Sequence, residues 1–419
     1  MGSVLVVGGG GREHTICWAL KKSNKIDKIY CLPGNAGIAQ IAECHPIGAL
    51  EFDKILDFVK THKDIDLTVV APDDPLALGL VDLLNDNGFR AFGPKKNAAI
   101  IEASKAFSKA LMKKYNIPTA AYEEFSDYNK ALEYIKTAKY PLVVKADGLA
   151  LGKGVIICQN VLEGEQALKD MMVDSKFKDA GKTIIVEEFM VGKEVSILSF
   201  VDGKHVVPMV SSQDHKRAHD NDEGLNTGGM GTFTPSKVYT KEIEKEVLNN
   251  IIYPTINAMN AEGREFKGVL YFGLMVTNDG VKVLEYNARF GDPETQVVLP
   301  RLKTDLYDIF NACIDGTLDK IDIEWKDEAC VCVILASGGY PESYKKGVEI
   351  SINDIDEDIM LFHSGTKMAD GKLVTNGGRV IGVVAEGKDI DQAREKAYKN
   401  VEKIKFDGAF YRKDIGIKR

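Results

Sequence analysis

Pro141-Leu142-Val143-Val144-Lys145-Ala146-Asp147-Gly148-Leu149-Ala150-Leu151-Gly152-Lys153-Gly154-Val155-Ile156-Ile157-Cys158 is the stretch on which the fold turns. Pro141–Lys145 and Val155–Cys158 each read as a short apolar strand. The loop between them superficially matches a phosphate loop, but it is one residue short of GxxxxGK, and Gly154 stands where a Ser or Thr would meet magnesium. A phosphate loop also joins a strand to a helix. This one joins two strands, so it reads as a glycine hairpin whose lysine can fold down over phosphates. Lys145 interrupts an apolar run, and lysines are seldom buried unpaired, which marks it as functional.

Upstream the pattern differs. Strand-like runs Val4–Val7, Lys28–Leu32, Leu67–Ala71 and Arg90–Phe92 alternate with helix-like Arg12–Lys22, Asp53–His62 and Leu76–Asn85. Alternation of this kind predicts an open parallel sheet with helices on both faces. Ligands of such sheets bind at the carboxyl ends of the strands, where Gly8–Gly11, Pro33–Gly37 and Pro72–Pro75 fall. The first loop is not a dinucleotide fingerprint, because Glu13 or His14 occupies the last glycine position of GxGxxG in either register. A phosphate-binding helix start and a plain tight turn both fit it.

Downstream the texture is antiparallel α+β. Ser104–Tyr115 and Leu162–Met172 read as helices, and Thr183–Phe189 and Glu194–Val201 as strands. Asp202-Gly203 turns Ser196–Val201 back into His205–Met209, and Asn278-Asp279-Gly280 joins Gly268–Thr277 to Val281–Tyr286. Lys241–Glu262 is a long amphipathic helix that Pro254 should bend. The acidic stretch Asp319–Glu328 marks a boundary before the strand Ala329–Ala336, and Asp389 should cap a helix running to Ile404.

Composition narrows the function. The chain has 419 residues, 44% hydrophobic and 28% charged, enough for two to four domains at roughly 150 residues each. Lys plus Arg is 54 against 62 for Asp plus Glu, a net charge of −8 with no basic block, so no nucleic-acid partner is expected. No apolar run approaches the roughly 20 residues of a membrane span. The opening MGSVLVVGGG has no secretion pattern, which predicts a cytoplasmic protein. Seven scattered cysteines without a CxxC read as free thiols, with Cys330 and Cys332 on one face of a strand.

Three more constellations carry chemistry. His215 and His219 have HxxxH spacing but lack the glutamate of HExxH, so zinc is not expected. Asn226-Thr227-Gly228-Gly229-Met230-Gly231 follows at once as a second glycine-rich loop, suited to a ligand site or to a surface excursion. Glu285-Tyr286-Asn287-Ala288-Arg289-Phe290-Gly291-Asp292-Pro293-Glu294 is the densest. Glu285 and Asn287, two apart on a strand, share a face and offer two hard oxygen ligands suited to Mg²⁺.

In this order the pieces resemble the glycinamide ribonucleotide synthetase family of ATP-grasp ligases. The likeness runs from Gly8–His14 through Pro33–Gly37, Lys145–Gly154, Ser212–Arg217, Asn226–Gly231 and Arg289–Gln296 to Gly338–Pro341, Asn376–Arg379 and Arg412–Gly416, nearly the whole chain. It implies an α/β and α+β multidomain fold. The expected parts are an N-terminal open parallel α/β (preATP-grasp) domain at 1–103, a central ATP-grasp domain at 104–326 with a glycine-lid subdomain at about 122–191, and a small C-terminal α+β domain at 327–419. It also implies the reaction ATP + glycine + 5-phosphoribosylamine → ADP + phosphate + glycinamide ribonucleotide, through glycyl phosphate, with Mg²⁺ or Mn²⁺ and with ATP as co-substrate.

Carried over by position, Lys105, Lys145 and the Gly152-Lys153-Gly154 loop would grip the phosphates. Glu187, Glu188, Phe189 and Met190 would form the adenine hinge, and Glu194 would accept from the ribose. Glu285 and Asn287 would bind the metal. Arg289, with Lys145 and Lys153, would stabilise the transferring phosphoryl group. Asp214 and Asp292 would hold the glycine ammonium, with Lys216, Arg217, Asn226 and Gly229 around the substrates. Gly10, Gly11, Arg12, Asn35 and Gly37 would face the phosphoribosyl end, and a monomer or weak dimer is expected. Two departures from the pattern are Gly273, where relatives carry a third metal carboxylate, and Ala71-Pro72-Asp73 in place of Gly-Pro-Glu. A bicarbonate-activating carboxylase, a nicotinamide oxidoreductase and a non-catalytic nucleotide sensor are the competing readings. Arg289–Glu294 and Asn226–Gly231 oppose the first, Glu13 the second, and the full metal and arginine set the third.

Overall fold

The computed structural model describes residues 2–148, 154–174, 176 and 181–417. Its first sheet is parallel, in the order Glu43–Cys44, Ile26–Pro33, Gly2–Gly8, Ile65–Val70, Ala91–Phe92. Its central strand is apolar on both faces because both are covered. Leu5 and Val7 enter one core while Val4 and Val6 enter another. The helix expected over Leu76–Asn85 is two helices, Asp73–Leu78 and Leu80–Asp86. Gly79 parts them by adopting φ 97°, a left-handed conformation that closes the first helix.

Two four-stranded antiparallel sheets follow. One is Tyr122–Phe125, Ile184–Glu188, Leu142–Ala146, Val155–Cys158, so the opening stretch does form two paired strands. The other is Val206–Pro208, Lys193–Asp202, Lys267–Thr277, Gly280–Asn287. The hairpin turns fall at Asp202-Gly203 and Asn278-Asp279-Gly280. The long helix changes its winding just before Pro254. Lys241–Val247 passes through a widened π turn at Leu248–Ile252 before Tyr253–Ala261, and that turn absorbs the backbone bond proline cannot make.

The last large sheet runs Gln213–Asp214, Gly231–Thr234, Ala329–Ala336, Arg379–Gly387, Ile359–His363. It crosses the acidic boundary, because Gly231–Thr234 pairs antiparallel with Cys330–Val333. The tail is therefore continuous with the loop region that begins at Asp214. Ala329–Ala336 is buried throughout, with Cys330, Cys332 and Ile334 packed into one core and Val331, Val333 and Leu335 into another. The two cysteines share a face, as the spacing predicts. Asp389 caps the helix Ile390–Val401, accepting from the Gln392 amide.

Candidate active site

A cleft of ≈ 1600 Å³ lies between the two antiparallel sheets and extends to the parallel sheet and the tail. Its phosphate-sized end is built on the helix Lys105–Lys114. Ser104 caps that helix by accepting from the Phe107 amide at 3.0 Å. Asp147 accepts from the Ala106 amide at 3.1 Å and from the Ser104 hydroxyl at 3.3 Å, tying the root of the glycine hairpin to the helix start. Lys105 Nζ donates to the Gly148 carbonyl at 2.8 Å. Lys145 Nζ lies 2.9 Å from Glu187 Oε2, and Lys109 Nζ lies 3.2 Å from Glu187 Oε1. Two lysines thus share one buried glutamate with Lys105 beside them, and the excess positive charge suits a polyphosphate. Burial pushes the Lys109 ammonium down to about 8 and also lowers Lys105. An arriving anion would reverse both shifts. Gly152 and Lys153 lie outside the described residues, while Gly154 lines the cleft.

Beside this end Val143, Ile157, Met190, Met275 and Leu284 line an apolar slot with Phe189 at its edge, the shape and chemistry of a base pocket. Glu187 itself is spent on the two lysines, and Glu188 accepts from the Ala121 amide and Lys282 at 3.1 Å each. Glu194 Oε2 lies 3.2 Å from Lys216 Nζ, which also sits 3.6 Å from Glu285 Oε1. Glu194 draws the Lys216 ammonium well above the usual lysine range, and Glu285 adds to it.

Glu285 and Asn287 both reach the cleft from the strand Gly280–Asn287. An irregularity in the pairing, where Gly273 faces Glu285 but Leu274 faces Val283, leaves Leu284 as the extra residue. Its carbonyl accepts from Lys145 at 3.3 Å, so the bulge stitches the two sheets together at the site. Burial would raise Glu285, but Lys216, Lys145 and Lys105 hold its carboxyl below the ordinary value. Arg289 Nη2 donates to Asn287 Oδ1 at 3.3 Å and lies 3.0 Å from Glu102 Oε1. The donor set, one ionised carboxylate and one amide oxygen, fits a hard divalent cation that takes its other ligands from phosphate and water.

At the far end Asp214 is the conspicuous group. Its Oδ1 is buried with no hydrogen-bond partner among the described residues. Burial pushes its carboxyl well up, Glu294 adds to the push, and Lys216 and Arg379 pull against it. Gly229, at φ 114°, leaves room for it, since a Cβ there would lie 2.7 Å from Asp214 Oδ1. Asp292 is already engaged, by Gln296 Nε2 at 2.7 Å and Arg379 Nη2 at 3.3 Å. Arg379 also donates to the carbonyls of Gly228 and Asp292 at 2.7 Å each, fastening the glycine loop to the arginine segment. Asn226 pairs with Arg217 in a two-stranded ribbon, and Arg217 donates to the Gly224 carbonyl at 2.8 Å.

The N-terminal loops sit differently. Arg12 reaches the cleft and donates to the Phe290 carbonyl at 3.1 Å. Gly10, Gly11, Asn35 and Gly37 do not line this cleft. The Gly10 amide donates to Glu13 at 2.6 Å, and Gly11 packs under Gln296 and Ser364. Asn35 spends its amide on the carbonyls of Gly9 (2.9 Å) and His363 (2.8 Å), and its oxygen accepts from Gly37 and Ile38. It joins the parallel sheet to the tail.

Sequence reasoning missed Lys109 and Glu102, and gave Arg379, Glu294 and Asp73, though each lies in a segment it singled out, no role in the site. Lys109 stands one helical turn from Lys105, which was a usable signal. Glu102 stands in Ala98-Ala99-Ile100-Ile101-Glu102-Ala103, where a carboxylate on a buried helix face was another. Asp73 does line the cleft, and Arg289 and Arg12 outweigh its burial to hold its carboxyl low.

Lys145 and the hairpin root on one four-stranded sheet, with Lys105 and Lys109 on the helix beside them, face Glu285, Asn287 and Arg289 at the end of another sheet, the layout of an ATP-grasp protein. Family models match along the chain: the phosphoribosylglycinamide synthetase N domain over residues 2–102, its ATP-grasp (A) domain over 103–295 and its C domain over 330–418. The chain belongs to the phosphoribosylglycinamide synthetase family. It is 50% identical over 412 residues to the phosphoribosylamine–glycine ligase of Caldanaerobacter subterraneus, covering 98% of this chain and 99% of that relative. The crystal structure of the phosphoribosylamine–glycine ligase of Thermotoga maritima superposes with a TM-score of 0.86 at 35% identity, covering 99% of this chain and 100% of that one. A biotin carboxylase from Campylobacter jejuni has a TM-score of 0.74 at 12% identity, covering 98% and 92%, and shares the fold alone.

Proposed function

We infer that this chain is a phosphoribosylamine–glycine ligase, joining glycine to 5-phosphoribosylamine with cleavage of ATP to ADP and phosphate in purine biosynthesis. The observation that carries the reading is one cleft holding both the lysine cluster at Lys105, Lys109 and Lys145 and the buried carboxylate of Asp214, whose Oδ1 has no hydrogen-bond partner among the described residues. The first suits a triphosphate and the second an ammonium.

The chemistry accounts for the charges. A carboxylate resists amines because its leaving group is oxide. Attack by a glycine carboxylate oxygen on the γ-phosphorus forms a P–O bond as the β–γ bridge breaks, and the electron pair leaves on ADP. The amine nitrogen then adds to the acyl carbon of glycyl phosphate. Phosphate departs with one former carboxylate oxygen, and the nitrogen loses a proton. The first step brings anion to anion, so Lys105, Lys145, Lys153 and Arg289 are assigned to gather and neutralise the phosphates. Glu285 and Asn287 would hold Mg²⁺ or Mn²⁺, which supplies further charge neutralisation on the phosphates. Glu194 is assigned to the ribose, Glu187–Met190 to the base, and Asp214 to the glycine ammonium, with Gly229, Lys216, Arg217, Asn226 and Asp292 around it. The phosphoribosyl end is assigned to Arg12 and the loops containing Gly10, Gly11, Asn35 and Gly37. Among the described residues no helix is long and apolar enough to cross a membrane. A cytoplasmic monomer or weak dimer acting on small molecules is the setting this reading expects.

The test is ADP release measured with each substrate omitted in turn. Release that needs both glycine and phosphoribosylamine supports the reading. Release driven by bicarbonate, or by ATP alone at the same rate, contradicts it.

A further inference from the structure

Glu102 belongs to the helix Lys96–Ala103, which packs against the helix Asp73–Leu78 and the strand Gly280–Asn287, and its carboxylate is turned towards the arginine segment that follows that strand. It is buried, and both oxygens are used. Oε1 lies 3.0 Å from Arg289 Nη2, and Oε2 accepts from the Ala288 amide at 2.7 Å. One carboxylate therefore holds both the backbone before Arg289 and the guanidinium itself. The guanidinium has only weak alternative tethers, to Asn287 Oδ1 and the Phe290 carbonyl at 3.3 Å each. Its Nε is buried with no partner among the described residues, which leaves a donor for a ligand. A flexible arginine that must meet a transferring phosphoryl group benefits from being aimed beforehand, since preorganised donors cost no reorganisation during reaction.

We propose that Glu102 is the positioning residue for Arg289, fixing through a shared carboxylate the side chain that stabilises the transferring phosphoryl group. The proposal rests on the ligase reading and adds to it a residue two positions before Ser104, so that one short junction sets two parts of the site. Glu102 aims Arg289, and Ser104 with Ala106 anchors Asp147 and so the root of the hairpin. Removing the charge would leave substrates bound but the arginine unaimed.

Glu102→Gln is nearly isosteric and keeps an oxygen for the Ala288 amide, so it separates charge from folding. Steady-state kinetics of ADP formation should show kcat falling at least tenfold, with KM for ATP and for glycine within threefold of the parent. Placed in an Arg289→Ala background, the same substitution should change kcat by less than twofold. A fall in kcat of less than tenfold, a rise in either KM beyond threefold, or an equal fall in both backgrounds would overturn the proposal. If the double variant is too slow to read, the kcat and KM pattern of the single variant decides. Arg289→Ala alone tests the role of Arg289, because undiminished turnover there would remove it from catalysis whatever Glu102 does, while the ligase reading fails separately if ADP release by the parent does not need both glycine and phosphoribosylamine.

Discussion

Arg289→Ala should lower kcat by roughly 10²–10³-fold, the usual effect of deleting one preorganised donor, while KM for ATP moves little. Steady-state turnover checks this, and a change of only a few-fold would take Arg289 out of the phosphoryl step. Glu194→Ala should act in the opposite way. The ribose is remote from the reacting phosphorus, and a lost charged hydrogen bond is worth roughly 1.5–3 kcal/mol, so KM for ATP should rise by about ten- to a hundredfold while saturating ATP restores most turnover. Persistently low turnover at saturation would contradict the ribose assignment. At this scale the sequence placed side chains in the cleft wherever residue type and spacing suffice, as for Glu285 and Asn287 on alternate positions of one strand. It hid what depends on three-dimensional neighbours. Nothing in the spacing says that Asn35 saturates its amide on Gly9 and His363, or that Glu102 reaches Arg289 from a separate helix.

Elements were legible in proportion to how local their causes are. The Asp202-Gly203 turn and the Asp389 cap are set by neighbouring residues, and both occur where the pattern predicts, while Ser104, expected as the first helical residue, caps the helix instead. The break at Gly79 and the π turn before Pro254 are local too, but the apolar periodicity ran through them and concealed their detail. The pairing of Gly231–Thr234 with Cys330–Val333 joins segments about a hundred residues apart, and no short-range pattern encodes it. The cap gives an element-scale prediction. Ser104→Ala removes the acceptor for the Phe107 amide and the donor to Asp147, so denaturant unfolding should show a loss of about 0.5–2 kcal/mol. KM for ATP should rise as Lys105 loses its fixed start. Unchanged stability and unchanged KM together would mean that this helix start does not organise the phosphate end.

Across the molecule the lobes are held by buried neutral groups as much as by ion pairs. The His363 amide donates to His14 Nδ1 at 2.8 Å, joining the tail to the first helix. Burial depresses His14 to about 3, with His363 adding, and depresses His363 and His215 to about 4. The unfolded chain, with histidines near 6.5, binds protons more readily than the folded one. These groups therefore leave stability intact above about pH 6.5 and cost up to about 1.4 kcal/mol per pH unit each as pH falls towards about 4. The melting temperature should decline steadily from pH 6.5 to 5, before most carboxylates titrate, and a flat profile in that window would contradict the buried neutral histidines. The shared sheet and these contacts make the tail part of the working molecule, in which the ligase reading has glycine activated as its acyl phosphate. The most direct measurement uses glycine labelled with ¹⁸O in its carboxylate, turned over with ATP and 5-phosphoribosylamine, with the label followed by mass spectrometry of the inorganic phosphate. Activation through glycyl phosphate puts one ¹⁸O in each phosphate released; unlabelled phosphate under full turnover would rule that intermediate out.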